Sequence, residues 1–363
     1  MAEGFITRRG GVSSEQTATP SILDFSTAST TSIKFKLRNN DSVAATLVYR
    51  FGTLTGDGES ISVAANTTTA EITLTVPTIT APTKLFVTAN ATGKVKSNVE
   101  EQEFPVPIIY TAATGGTTLE YNDGGKRYKS HTFTSSGNFV VSQVGNGDRN
   151  KVDYLIVAAG GGGSGGTSGV SFGPGGGAGQ HLTGNAVVTA TTFSVDIGAG
   201  GTGTNTTATN GGNGGSSSFG SIVASTTGGQ GGQAPTTGGN SGNGFTGGTG
   251  IAPSSGGGAG SSANGGNAPN SSTGGNGGNG LSNTFRNGTS ETRAGGGGGG
   301  GDSNGGSGGS GGGGKGTDGF SNTATSATVN SGSGGGGAGV GNFNVGNGGS
   351  GIVIIRYEIA PSA

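Results

Sequence analysis

Gly295-Gly296-Gly297-Gly298-Gly299-Gly300-Gly301, seven consecutive residues without a side chain, is the stretch that decides how the second half of this chain folds. Shorter tracts at 160–163, 311–314 and 334–337 repeat it, as do the Asn-Gly-Gly doublets around 210–215 and 274–280. Of the 87 glycines, 72 fall within residues 160–350. Two apolar segments bound that interval, Val152-Asp153-Tyr154-Leu155-Ile156-Val157 and Ile352-Val353-Ile354-Ile355-Arg356-Tyr357. A plain flexible linker has no need of such a clasp.

Glycine- and serine-rich segments ordinarily behave as coils, because they bury too little apolar area to offset the entropy of ordering. Three features argue for order here. Phe193, Val195 and Ile197 alternate with polar residues and run straight into Gly198-Ala199-Gly200-Gly201. Phe219, Ile222 and Val223 form a second apolar island, and 352–357 a third. Ordering backbone costs about 1–2 kcal/mol per residue, and glycine brings no side chain to a core. Main-chain hydrogen bonding must supply the compensation. Extended left-handed helices of three residues per turn, rising about 3.1 Å per residue, leave every N–H and C=O pointing outward. Packed side by side, glycine helices approach closely enough to pair those groups with one another. Residues 295–301 would span about 22 Å in this form. Collagen is excluded, since its strict every-third glycine is absent and the whole chain has 10 prolines.

Outward from the glycine interval, residues 20–108 read as about seven short strands. Ile33, Phe35 and Leu37 alternate with Lys34, Lys36 and Arg38, and Ile72, Leu74 and Val76 with threonines. Turn residues at Asn39-Asn40-Asp41, Gly56-Asp57-Gly58 and Ala65-Asn66 separate the runs at sandwich-like spacing. Pro105, Pro107 and residues 111–118 form a boundary. Beyond it, Lys129-Ser130-His131-Thr132-Phe133-Thr134 and Asn138-Phe139-Val140-Val141, joined by Ser135-Ser136-Gly137, predict a hairpin. The organisation expected is mainly β: an immunoglobulin-like β-sandwich over 1–108, a linker and β-hairpin region over 109–159, a glycine-rich domain of packed polyglycine/polyproline II helices over 160–350, and a closing strand and tail over 351–363.

Composition removes several function classes. Net charge is −1, and Lys and Arg are not clustered in the glycine interval, so counterion-driven binding of nucleic acid is excluded. With no cysteine there is neither a disulfide framework nor a thiolate metal site. No run approaches the roughly 20 apolar residues of a membrane span, and the first residues lack the apolar core of a signal peptide. Only two histidines exist, His131 and His181, and neither has the neighbours of a catalytic triad or metal site. Lys315 follows four glycines but precedes Gly316, which breaks the phosphate-loop pattern. Asp302 and Asp318 stand too far apart for a calcium nonapeptide array. No enzyme activity, catalytic residue, metal or cofactor is expected.

What remains is recognition by loops. The two longest glycine-poor insertions, 281–294 and 317–331, cannot be threaded through a close lattice and should emerge at its ends. They offer Phe285, Arg286, Arg293, Asp318 and Phe320 as receptor-binding candidates, because aromatic and arginine anchors on a preorganised support bind with little ordering cost. The competing reading makes them solvated turns, with Phe285 and Phe320 plugging the core rim.

Taken in order, Tyr154-Leu155-Ile156-Val157-Ala158-Ala159-Gly160, Gly175-Gly176-Gly177-Ala178-Gly179, Phe193-Ser194-Val195-Asp196-Ile197-Gly198, Ser216-Ser217-Ser218-Phe219-Gly220 and the closing Gly348-Gly349-Ser350-Gly351-Ile352-Val353-Ile354-Ile355-Arg356-Tyr357 resemble the glycine-rich domain of bacteriophage tail proteins. That domain is similar in design to the tail-fibre adhesins of T-even-type phages, whose distal sandwich of polyglycine helices presents loops to a receptor. Residues 89–99 resemble the last two strands of immunoglobulin-like modules in phage and bacterial surface proteins. The resemblance implies a tail-fibre or tail-tip virion protein, assembled in a host cytoplasm and present as a homo-oligomer or in many copies. It implies contact with other virion proteins through the N-terminal domain and with a host-surface protein or glycan through the loops. The alternative is a decoration, collar or baseplate protein that braces its neighbours without touching a receptor. An ice-binding polyglycine protein is disfavoured by the irregular glycine spacing.

Overall fold

The computed structural model describes residues 15–29, 31–52, 58–76, 79, 82–166, 171–205, 209–319, 323–339 and 344–362. The chain forms two compact units, Met1–Ile108 and Ile109–Ala363. Both are mainly β and built of antiparallel sheets.

In the first unit the alternating segments become β1 (Ser21–Ser29), β2 (Ser32–Arg38), β3 (Ala45–Phe51), β4 (Glu59–Val63), β5 (Ile72–Thr75), β6 (Thr83–Ala91) and β7 (Glu100–Phe104). Alternation on β2 buries Ile33, Phe35 and Leu37 completely, while Lys34 and Lys36 pair at the surface with Glu71 and Asp24. The sheets have the orders β1-β2-β5 and β4-β3-β6-β7. Both contribute to one core, in which Phe35 and Leu37 meet Leu47, Leu85 and Phe104.

The second unit holds β8 (Ala112–Thr114), β9 (Thr117–Asp123), β10 (Lys126–Phe133), β11 (Gly137–Gln143), β12 (Lys151–Val157), β13 (His181–Val187), β14 (Thr192–Asp196), β15 (Ser218–Phe219), β16 (Leu281–Asn283), β17 (Glu291–Arg293) and β18 (Ile352–Glu358). Its sheets run β13-β12-β18-β10-β9, β15-β14-β11-β8 and β16-β17. The two apolar segments that bound the glycine interval are therefore partners, with Leu155 opposite Ile354 and Val157 opposite Ile352. Side-chain alternation on β18 divides its burial between two faces. Val353, Ile355 and Tyr357 join Phe139, Val195 and Phe219 of the four-stranded sheet, whereas Ile352 and Ile354 join Leu155, Val157, Ala178 and Ala294 at the glycine block. The five-stranded sheet is thus the middle of three layers.

The hairpin expected from Ser135-Ser136-Gly137 is not formed. β10 pairs with β9 and β18, and β11 with β14 and β8, so the chain changes sheets at this turn. The hairpin of this region is β9–β10, closed by Gly124-Gly125 at φ 58° and 80° with Asp123 opposite Lys126. Two successive residues at positive φ make the tight turn whose twist suits a two-residue loop, and glycine adopts it without strain.

Along the glycine tracts of the block, successive N–H groups turn to three different neighbours in rotation. Gly175 and Ala178 donate to Gly256 and Ala259 at 3.2 and 2.8 Å. Gly176 and Gly179 donate to Gly335 and Gly332, and Gly177 and Gln180 to Gln230 and Thr227, all at 2.8 Å. The seven-glycine tract repeats the pattern: Gly296 and Gly299 reach Gly278 and Gly275, Gly297 and Gly300 reach Gly176 and Gly173, Gly298 and Gly301 reach Gly314 and Thr317. Moving three residues along one segment moves three along its neighbour.

The buried glycine positions of these tracts admit no side chain, since a Cβ on Gly176 would overlap the carbonyl oxygen of Gly161, and one on Gly297 that of Gly335. Outward positions carry asparagine with a task. Asn276 and Asn279 accept the N–H groups of Ser307 and Ser310 at 2.9 and 3.3 Å, and Asn264 and Asn267 those of Thr246 and Thr249 at 3.0 and 2.8 Å. The Asn-Gly-Gly spacing follows: two residues face neighbours, and the third closes the outer seam with its side chain.

Candidate functional site

The glycine block has two ends, and the candidate residues divide between them. At the end against the five-stranded sheet, β16 and β17 form a hairpin with Leu281 opposite Arg293 and Asn283 opposite Glu291. Its loop is stitched by Asn283 Oδ1 accepting the Phe285 N–H at 2.7 Å and by the Gly288 N–H donating to Thr284 O at 2.9 Å. Tyr121 OH donates to Phe285 O and Ser130 Oγ to Arg286 O, both at 2.6 Å, which docks the loop on β9 and β10.

Beneath the loop lies Arg356 of β18. Its guanidinium carbon sits 4.1 Å from the centre of the Phe285 ring and 4.3 Å from that of Tyr128. Nη1 donates to Asp123 at 2.7 Å and Nε to Asp153 at 3.0 Å. Burial alone would lower its pKa, but bonds to Tyr121, Asp123 and Asp153 outweigh burial and raise it. A cation held between two rings and two carboxylates is the anchor that fixes the hairpin.

Phe285 is thus half-buried against Arg356 and the apolar layer, not displayed. Arg293 is buried too, at 8% exposure, and its Nη2 donates to Glu291 Oε2 at 2.5 Å. Of this group Arg286 alone is exposed, and its Nε donates to both Glu291 oxygens at 2.8 and 2.7 Å. Bonding to Arg286, with Arg293 adding to it, pulls the Glu291 pKa down to about 2 despite partial burial.

His181, the first residue of β13, is buried nearby with its main chain clamped by Asn243, whose Oδ1 accepts the His181 N–H at 2.7 Å. Desolvation, assisted by the charge of Arg293, lowers its pKa from 6.5 to about 4. A histidine neutral in the fold but protonated when unfolded removes stability as pH falls. The loss begins near pH 6.5, is complete near pH 4, and amounts to on the order of 3 kcal/mol at 1.36 kcal/mol per pKa unit. Urea midpoints of the second unit should fall across that window, and His181→Gln should remove most of the slope. His131 is also buried and also lowered by desolvation, with Nδ1 2.6 Å from Gly115 O and Nε2 3.1 Å from Tyr357 OH. Both histidines serve the interior.

The opposite end of the block is a set of polar returns. Phe172, 1% exposed, plugs it from within, its N–H donating to Pro253 O at 2.6 Å. Ser164 Oγ donates to Thr209 O and Ser254 Oγ to Ser271 O, both at 2.8 Å, and the Ser303 N–H reaches Ser272 O at 2.8 Å. Cis peptides precede Pro235 and Pro253 in two of these returns, and Ile251 stands 51% exposed between them. Asp318 lies here, bridged to Gly301 and accepting from Lys315 Nζ at 2.8 Å and from the Gly305 N–H. Burial raises its pKa, and these two partners more than reverse that, leaving it lowered. Phe320 lies outside the described residues. A polar cleft of about 420 Å³ opens between Asn205, Thr323, Ser326 and Asn344.

The four described candidates therefore do not converge on one site. Phe285, Arg286 and Arg293 share the sheet-end hairpin, and Asp318 sits at the other end. Sequence reasoning missed Arg356, although a lone charge inside an apolar strand signals a buried ion pair. It also missed Phe172, a single aromatic residue flanked by glycine tracts. Among the described residues no group of three His, Asp or Glu could hold a metal ion, and no helix is long and apolar enough to cross a membrane. Residues 134–358, more than half of the chain, match the sequence family described as a glycine-rich domain. No curated protein matches the chain.

Proposed function

From the premise that the chain belongs to the glycine-rich domain family, we propose that it is a bacteriophage virion protein that recognises the host surface through the polar returns at the sheet-remote end of its glycine block. In this reading the first unit is an immunoglobulin-like sandwich that attaches to other virion proteins, supported by seven antiparallel strands in two sheets over one core. The glycine block is a bundle of polyglycine helices, supported by hydrogen bonding that rotates through three neighbours with a period of three residues. It is non-enzymatic, present in many copies or as a homo-oligomer, and assembled in the host cytoplasm.

One observation carries the recognition role: the buried glycine positions of the block are closed to side chains and asparagines occupy its outer seams, so the more varied side chains gather where the segments turn back at their ends. The sheet end is occupied by the apolar layer and the Arg356 anchor. The remote end is left with amides, hydroxyls, Ile251 and few charges, a surface suited to hydrogen bonding with a protein or glycan. Arg286 and Asp318 remain as exposed or half-exposed candidates, each already ion-paired.

The bracing alternative needs lateral surface able to accept a neighbour's main chain. Asn264, Asn267, Asn276 and Asn279 instead close the outer seams, which favours recognition over bracing. The test is binding of the fluorescent full-length protein to cells of a susceptible strain. Exchanging residues 233–237 and 251–254 for Gly-Ser loops should abolish binding while leaving the fold intact. Undiminished binding by that variant, or gold labelling of the chain inside the particle, would remove the proposal.

A further inference from the structure

We infer that the glycine block shields its asparagines from spontaneous deamidation and leaves Asn146–Gly147 as the pair that reacts in the folded protein. The chain contains ten Asn-Gly pairs, the dipeptide in which a glycine nitrogen attacks the preceding side chain with least steric hindrance. In that reaction the Gly main-chain nitrogen, losing its proton, bonds to Asn Cγ. The Cγ–Nδ2 bond breaks and the amide nitrogen leaves as ammonia. Water then opens the five-membered imide at either carbonyl, giving Asp or isoaspartate. The net change is Asn plus water to Asp or isoaspartate plus ammonia, with no oxidant or reductant.

Attack requires the glycine nitrogen to be free and to swing toward Cγ. In nine of the ten pairs that nitrogen donates a hydrogen bond. Gly277 donates to Ser307 O at 2.8 Å, Gly280 to Ser310 O at 2.9 Å, and Gly214 to Gly229 O and Gly348 to Gly201 O at 2.8 Å. Reaction at these positions must wait for the lattice to open locally.

Asn146–Gly147 lies outside the lattice. The Gly147 N–H meets no acceptor among the described residues, and Gly147 is exposed. Asn146 Oδ1 accepts the Ile109 N–H at 3.0 Å, a bond that draws electron density from Cγ and favours nucleophilic addition there. The Asn146 N–H donates in turn to Ile109 O at 3.1 Å, so this turn holds the residue at which the second unit begins. Isoaspartate adds a methylene to the main chain at that point and detunes both bonds.

The experiment incubates the full-length protein at pH 8 and 37 °C, folded and in concentrated urea, and follows conversion by mass spectrometry of protease digests. The tryptic peptide 130–149 carries Asn146 as its sole Asn-Gly pair. In the folded protein this peptide should convert at a rate close to its rate in urea, while peptides from the lattice convert more than about tenfold more slowly than in urea. Lattice pairs that convert equally fast in both states overturn the inference. So does an Asn146 that stays intact in the folded protein while reacting in urea.

Discussion

Gly176→Ala and Gly297→Ala should each destabilise the second unit by at least about 3 kcal/mol, the upper end of what overpacking costs when neighbours can yield. Here the neighbours cannot yield. The added methyl meets the carbonyl oxygen of Gly161 or Gly335, and each of those residues is itself hydrogen-bonded into further rods. Relief would mean separating segments whose N–H and C=O groups then lose partners away from water, at about 1–3 kcal/mol per group. Asn276→Ala supplies the contrast. It removes one acceptor at an exposed seam and should cost about 0.5–1.5 kcal/mol. Urea denaturation of the second unit, followed by amide exchange across 160–350, distinguishes the two classes. Should the interior substitutions cost no more than Asn276→Ala, close main-chain packing is not what holds this unit together.

The parts legible in the sequence were those that depend on local period. Lys34 and Lys36 between Ile33, Phe35 and Leu37 announce a half-buried strand regardless of what it pairs with, and β2 is that strand. The apolar runs at 152–157 and 352–357 each carry enough apolar residues for both faces of a buried strand, which is why they read as a clasp, and they pair with each other. Pairing choice was less visible. Ser135-Ser136-Gly137 marks a turn, but a turn does not say which sheet the chain enters next, and here β10 and β11 part company. Gly124-Gly125 carried the stronger hairpin signal, hidden among many glycines.

Loop chemistry was legible as residue type and illegible as exposure. Phe285 and Arg293 sit in a glycine-poor insertion and look like displayed anchors. What buries Phe285 is Arg356, 71 positions later in sequence, and no local pattern brings them together. Arg286 and Arg293 differ by seven residues, yet only one faces solvent, because Arg286 lies in the loop between β16 and β17 whereas Arg293 ends β17, where the chain re-enters the buried glycine block. The Asn-Gly-Gly doublets were seen as lattice-compatible, whereas the role of the asparagine required knowing which rods lie at the outside.

A chain ending at Gly351 should fail to fold its second unit altogether. β18 is the middle strand of the five-stranded sheet and pairs with β12 on one side and β10 on the other. Removing it strips Ile352, Val353, Ile354, Ile355 and Tyr357 from both apolar layers. At about 1.5–3 kcal/mol per buried large side chain the loss is on the order of 10 kcal/mol, comparable with the whole stability of a typical domain. It also removes Arg356 and leaves Asp123 and Asp153 without their cation. The first unit should survive, because its core draws no residue from beyond Val106. Limited proteolysis of the truncated protein is therefore expected to leave a resistant fragment of about the first unit, with the glycine interval digested and its amides exchanging as in a random coil. A truncated protein that kept slow exchange across 160–350 would mean that the main-chain lattice forms without the sheet. That result would transfer the source of order from the clasp to the rods themselves, since the rods would then have met the entropic cost of ordering glycine by hydrogen bonding alone.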